Sequence, residues 1–350
     1  MGYLKRKYDE LVLWIVSVSF VFIVATYFGL GKRQRMSHNK GVGGRGKIKI
    51  VDHPSFPSHD FFTPGREFLC RLRHASVTFK DDAMNQVRGV SLKFTDSNFK
   101  SPFDLEMNSG AISIFWTAAN FWKFVMNRNE QGGIQYKAYY EKEPDGFLGA
   151  QISGKHRPTS FATLDYYSKN PMRFIDKNGI EYYAKYRLIP GNDPIEEATI
   201  PDEQKAKVYD QRVAENEKLS VNYLVNEYKE RISKGPITYK LQIQLHAAHP
   251  DDPESIFDSR IAWDEKTHPY FDLAKVSIES LLSYDEMVKM GVNIKHHPKS
   301  LGLIKAKSIH DFNSVAYMRT KTNTAYYARQ LMYRLKGIPK ETPDTAPRNQ

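Results

Sequence analysis

A histidine at position 38 stands directly before a run of glycines, in the stretch MSHNKGVGGRGKIKIV over residues 36–51. Imidazole exchanges protons near neutral pH, so such a residue suits a general base. The run Gly41-Val42-Gly43-Gly44-Arg45-Gly46 has the spacing G-x-G-x-x-G. A dinucleotide loop needs a strand before it and a helix opening within it. Here a basic linker precedes the glycines, and Lys47 to Val51 alternates like a strand after them. That order excludes the dinucleotide reading. His246 and His249 form H-x-x-H near Asp251 and Asp252, but on a strand they face opposite ways, which argues against a shared metal. The same alternation sets His74 apart from its neighbour Arg73. Late in the chain MRTKTNTAYYARQLMYRLKG clusters Tyr326, Tyr327 and Tyr333, and its only R-x-x-x-Y runs from Arg329 to Tyr333.

The elements that must position these residues can be read from hydropathy and charge. The chain has 350 residues, 41% hydrophobic, enough for one large domain or two modest ones. Formal charge is +11, so an acidic partner fits: an anionic lipid surface, nucleic acid or a carboxylate. The basic residues lack the aromatic interleaving of a nucleic-acid module, so no nucleic-acid partner is expected and a membrane-facing role is. Cys70, the single cysteine, excludes an internal disulfide framework and paired-cysteine zinc sites. Leu11 to Leu30 carries no charge over twenty residues, ~30 Å of helix, which predicts a transmembrane anchor. The excess of Lys and Arg after it predicts a cytosolic C-terminal domain in a single-pass membrane protein.

Alternating or apolar runs over Leu69 to Val77, Val90 to Phe94 and Ala111 to Trp116 predict strands, as do Lys240 to Leu245 and part of 270–280. Residues 202–233 are charged and helical in character, and Ala316 to Leu335 predicts a helix stopped by Gly337 and Pro339. The division expected is a basic segment 1–10, the anchor 11–30, one domain 31–336 and a disordered tail 337–350. The fold class expected is α+β, an antiparallel β-barrel wrapped by helices and preceded by one transmembrane helix.

Several stretches, in collinear order over about residues 36–336, resemble the catalase superfamily. They are MSHNKGVGGRGKIKIV, FFTPGREFLCRLRHASV, RGVSLKF, MNSGAISIFW, the block LQIQLHAAHPDDPESIFDSRIAWDEKTHPYFDLAKVSIESLL with its FDLAKV, and SLGLIKAKSIHDFNSVAYMR. The likeness is closest to the catalase-related allene oxide synthases of corals. It implies a catalase-like barrel holding haem b, with iron as its metal. By this resemblance His38 is the distal histidine, Ser37 sits where the coral-type enzymes have threonine, and Asn108 is the distal asparagine. The glycines would let a strand pass close to the porphyrin. Phe121, thirteen residues past Asn108, would wall the pocket, and Arg73 and Arg88 would hold the haem carboxylates.

The resemblance also implies an axial tyrosine on the last helix with an arginine four residues before it. Matching Ala325-Tyr326-Tyr327 to the family's Ala-Val-Tyr makes Tyr327 the iron ligand, with Tyr333 and Tyr326 as alternatives. Asn323 then takes the arginine's place, and Arg319, two turns earlier, could substitute for the missing charge. The function implied is conversion of a lipid hydroperoxide, by dehydration, isomerisation or cleavage, at a membrane. Two alternatives stand beside it: a catalase or peroxidase for hydrogen peroxide, and a haem-poor, non-enzymatic scaffold tethered to a membrane.

Overall fold

In the computed structural model of the chain, residues 3–27, 38, 40–77, 81–127, 136–210 and 212–320 are described, together with 331, 335 and 337. Eleven strands form among them: β1 Gly41–Ile50, β2 Glu67–Ser76, β3 Gln86–Lys93, β4 Asp104–Asn108, β5 Gly154–Lys155, β6 Tyr166–Tyr167, β7 Met172–Ile175, β8 Glu181–Pro190, β9 Ile237–Ala247, β10 Phe271–Leu281 and β11 Leu301–Gly302. The helices are α1 Tyr3–Tyr27, α2 Ala118–Met126, α3 Lys137–Lys142, α4 Pro144–Ser153, α5 Asp202–Lys205, α6 Tyr223–Lys234 and α7 Tyr284–Lys289, and residues 314–320 are also helical.

The strand order β8-β6-β4-β3-β2-β1-β10-β9 returns to β8 through a β8–β9 pairing, which closes an eight-stranded antiparallel barrel. Closure removes the exposed edges that an open sheet would leave. Alternation along each strand fills the interior: Leu72 and His74 from β2, Val90 and Leu92 from β3, Tyr186 and Leu188 from β8, and Tyr239 and Leu241 from β9 are all at most 2% exposed. His74 stacks on Phe161 at 5.4 Å and meets the Tyr239 hydroxyl at 2.8 Å. Burial, with the nearby Arg73 charge adding, pushes its pKa down to about 3, so this histidine is a neutral core residue.

Three expectations are corrected here. The stretch Ala111 to Trp116 is not a strand, because β4 ends at Asn108 and Gly110 (φ +75°) turns the chain away. The charged stretch 202–233 is helical only over α5 and α6. Among the described residues no helix is long and apolar enough to cross a membrane, so the expected span is not borne out. Its residues 11–27 form most of α1, and one side of that helix is used inside the protein: Leu13 is 1% exposed against Ala118, Ala306 and Met318. Glu10 and Lys305 form an ion pair at the same junction. Residues 28–30 and 338–350, the latter covering most of the expected tail, lie outside the described residues.

Candidate active site

The outer face of the barrel carries Arg73 and Asn108, with His38 beside them. Odd-numbered positions on β2 and β3 point outward, and register places Ala75 beside Gly89 and Gly89 beside Asn108. Adding a Cβ at Gly89 would bring it 3.0 Å from Asn108 Oδ1, 3.1 Å from His38 Cδ2 and 3.2 Å from His38 Nε2. The imidazole and the carboxamide therefore converge over a glycine that has no side chain to separate them. Sequence reasoning passed over Gly89; its signal was a glycine in the interior of a strand.

His38 owes its place to backbone contacts on both sides. Its φ of +57° is uncommon for a side-chain-bearing residue and costs free energy, so the surroundings must hold it. Its N–H donates to Val77 O at 2.9 Å, and Arg73 Nη2 donates to its carbonyl at 2.8 Å. Ser76 N donates to Lys40 O at 3.1 Å, and the Lys40 ammonium lies 3.2 Å from Asp82 Oδ2 in a buried pair. Burial lowers the Lys40 pKa despite Asp82, and raises that of Asp82 despite Lys40 and Arg88. Asn108 is fixed from the other direction: Ser109 N donates to Arg88 O at 2.8 Å, and Ser109 Oγ donates to Ser153 O at 2.6 Å.

Arg73 and Arg88 have different fates. Arg73, 6% exposed, is on the same outer face, its guanidinium beside Gly41 and under the His38 carbonyl. Arg88 is fully buried and points the other way from Gly89. Its donors go to Ser76 Oγ at 2.6 Å and to the carbonyls of Asp82 and Met84 at 2.8 and 2.9 Å. Its expected role as a carboxylate ligand is therefore corrected: it braces the loop after β2. The glycine run is closely packed by protein atoms. A Cβ at Gly41 would lie 2.9 Å from Arg73 Nη2 and one at Gly43 2.8 Å from Leu72 O, while Gly44 and Gly46 would clash with Ile278 and Ser277 of β10. Neighbouring strands and Arg73 leave no room for a side chain at those glycines.

Residues 314–320 are anchored to the strand that carries Asn108. Arg319 forms an ion pair with Glu106, which shares the outward face of β4 with Asn108 two residues on. This pair ties the helical residues 314–320 to β4, and Ala118 N donates to Ser314 Oγ at 2.8 Å to tie α2 to the same residues. Phe121 of α2 stacks on Phe115 at 4.1 Å and packs with Leu13 and Met318. Ser37, Tyr326, Tyr327 and Tyr333 lie outside the described residues, as does Asn323. His246 bonds to His268 at 2.9 Å and to Asp252 at 2.9 Å, and among the described residues no cluster of three or more His, Cys, Asp or Glu could hold a metal.

This architecture has known counterparts. A fungal catalase superposes with a TM-score of 0.68 at 20% identity, covering 89% of this chain and 62% of that one. Catalase A of Saccharomyces cerevisiae gives 0.67 at 17%, covering 89% and 64%. In sequence, the chain is 42% identical over 307 residues to the allene oxide synthase-lipoxygenase protein of Plexaura homomalla, 85% of this chain and 28% of that protein. The chain is thus related in sequence to that allene oxide synthase-lipoxygenase protein, on a catalase-like fold. A second relative, linolenate 9R-lipoxygenase of a Nostoc strain, is 26% identical over 303 residues, 82% of this chain and 37% of its own length. The chain thus spans about a third of the length of these curated relatives. No family model matches it.

Proposed function

We propose that the chain is a haem enzyme that converts fatty-acid hydroperoxides, in the manner of an allene oxide synthase, hydroperoxide isomerase or lyase. The observation that carries this reading is the convergence of His38 Nε2 and Asn108 Oδ1 over Gly89. The donor set fits the peroxide-binding side of a haem: an imidazole, a neutral amide and, on the same face, the buried guanidinium of Arg73. Arg73 would hold a haem carboxylate, and Tyr327, or else Tyr333 or Tyr326, would supply a phenolate to the iron. The names of both curated relatives contain a lipoxygenase, which directs the reading to peroxides of fatty acids.

Bound haem supplies an iron centre that can activate an O–O bond. The chain's own residues do the rest. His38 Nε2 takes the hydroperoxide proton and holds it near the leaving oxygen, a task suited to imidazole at neutral pH. The Asn108 amide orients the peroxide oxygens without adding charge. The main-chain clamps on His38 keep the ring aimed at that spot, so less ordering remains to be done on binding. Phe121, on α2 beside the helix at 314–320, would wall the pocket on its apolar side. Ser37 would place a hydroxyl next to the base.

The test is product analysis with the purified haem-loaded chain. A C18 or C20 fatty-acid hydroperoxide should be consumed, with chromatography showing an allene oxide hydrolysis product, an epoxy alcohol or an aldehyde pair. Oxygen release from hydrogen peroxide should be slower. Rapid oxygen release with the fatty-acid hydroperoxide left intact would instead mark a catalase.

A further inference from the structure

Two residues beyond His38, Lys40 sends its ammonium into a buried cluster built around Asp82, whose side chain is wholly out of solvent. Three donors converge on the Asp82 carboxylate. Lys40 Nζ lies 3.2 Å from Oδ2, Leu224 N donates to the same oxygen at 3.2 Å, and Ser76 Oγ donates to Oδ1 at 3.1 Å. Val221 closes the cluster, its carbonyl accepting from Asp82 N at 3.0 Å and from the Lys40 ammonium. Arg88 borders it, donating to Ser76 Oγ and to the Asp82 carbonyl.

The cluster joins the segment that holds His38 to a helix from a distant part of the chain. Leu224 is the second residue of α6, and Asn222, at the N-cap of that helix, makes no side-chain cap bond. Asp82 takes over the task, and a carboxylate suits the positive end of a helix dipole. α6 is itself fixed, because Leu224, Val225, Tyr228 and Ile232 are buried in the main hydrophobic core. On its other side the cluster meets the His38 segment twice. Ser76, whose hydroxyl donates to Asp82, also donates through its N–H to Lys40 O at 3.1 Å. Val77, next along, accepts from His38 N at 2.9 Å. The φ of +57° at His38 persists only where the surroundings impose it.

We propose that Asp82 is a positioning residue for the base. Through Lys40 and Ser76 it fixes both backbone segments that hold His38, and so aims the imidazole over Gly89. The proposal rests on the reading of His38 as the proton acceptor. Asp82 works as an anion with two acceptor oxygens. An asparagine of the same shape would offer one acceptor oxygen and turn N–H donors toward Lys40, Ser76 or Leu224. The buried Lys40 ammonium would lose the carboxylate beside it, which favours movement of the segment over retention of the pair. A displacement of about 1 Å at a reacting group costs about 10²-fold in rate.

The experiment compares Asp82→Asn, His38→Ala and the double variant in the haem-loaded full chain, with a fatty-acid hydroperoxide as substrate. Asp82→Asn should lower kcat by about 10²-fold while KM and the Soret band keep their parental values. In the His38→Ala background the same change should cost almost nothing further, because the side chain it positions is gone. Equal losses in the two backgrounds, or an unchanged kcat, would overturn the proposal. Should Asp82→Asn fail to fold, Lys40→Met takes its place: it leaves the α6 cap intact and is expected to give the same loss and the same cycle. Amide hydrogen exchange of the full chain separates this proposal from the function it rests on. A His38→Ala chain with parental turnover would sink the base reading alone. Faster exchange at His38 and Ser76 in Asp82→Asn would still uphold the clasp, and unchanged exchange there would overturn it.

Discussion

His38→Ala lowers the turnover of a fatty-acid hydroperoxide by about 10²–10⁴-fold while leaving the haem absorption of the protein in place, the effect expected when a positioned general base is lost. The expectation follows from the geometry. The three atoms nearest to a Cβ placed on Gly89 belong to Asn108 and to the imidazole, at 3.0–3.2 Å. His74, the other histidine of this region, stacks inside the barrel and cannot replace it. The backbone at 38 is held by Val77 and Arg73 through main-chain atoms, so removing the ring leaves the loop anchored. Turnover is measured by loss of the conjugated-diene absorbance, and haem content by the Soret band of the same sample. Loss of both together would show a folding role, and an unchanged rate would remove His38 from the chemistry.

Asp104→Ala destabilises the protein by about 3–5 kcal/mol, the range for breaking one side of a buried ion pair. Lys93 and Asp104 are completely buried side chains on the outer faces of β3 and β4, with Nζ 3.0 and 3.2 Å from the two carboxylate oxygens. Lys93 Nζ also donates to Gly291 O at 2.7 Å. Asp104 Oδ2 accepts from Asn293 N at 3.0 Å and meets His296 Nδ1 at 3.0 Å. The pair therefore fastens residues 291–296 over the barrel, and removing the carboxylate strands an ammonium without solvent. Denaturant unfolding of the single variant and of Lys93→Met/Asp104→Leu checks this. The double variant should regain much of the loss, because no buried charge remains unpaired. A single variant within about 1 kcal/mol of the parent would contradict the account.

The barrel was partly legible in the sequence because its inner face follows the two-residue period. Leu69 to Val77, Lys240 to Leu245 and the 270–280 stretch all fall on β2, β9 and β10. Ala111 to Trp116 misled because its apolar residues serve packing around α2 rather than a strand. The apolar run at 11–30 misled in another way, since hydropathy does not show that Leu13 has a protein surface to pack on.

The site itself was hidden from local pattern. It joins positions 38, 73, 89 and 108 through strand register, and only the collinear resemblance linked His38 with Asn108 before the fold was known. Arg88 shows the limit of that route: its neighbour Gly89 faces the site, while Arg88, one residue away, faces the opposite side of the sheet. The glycine run of β1 had a signal, a bulge between Arg45 and Gly46, that no spacing motif encodes.

The most direct measurement is a spectroscopic titration of the purified chain with haemin, run beside Tyr327→Phe. One haem per chain, with a Soret band that shifts or disappears in the variant, is the expected result. A chain that takes up no haem at stoichiometric concentration, while its far-ultraviolet dichroism shows an intact barrel, would contradict the account at its root.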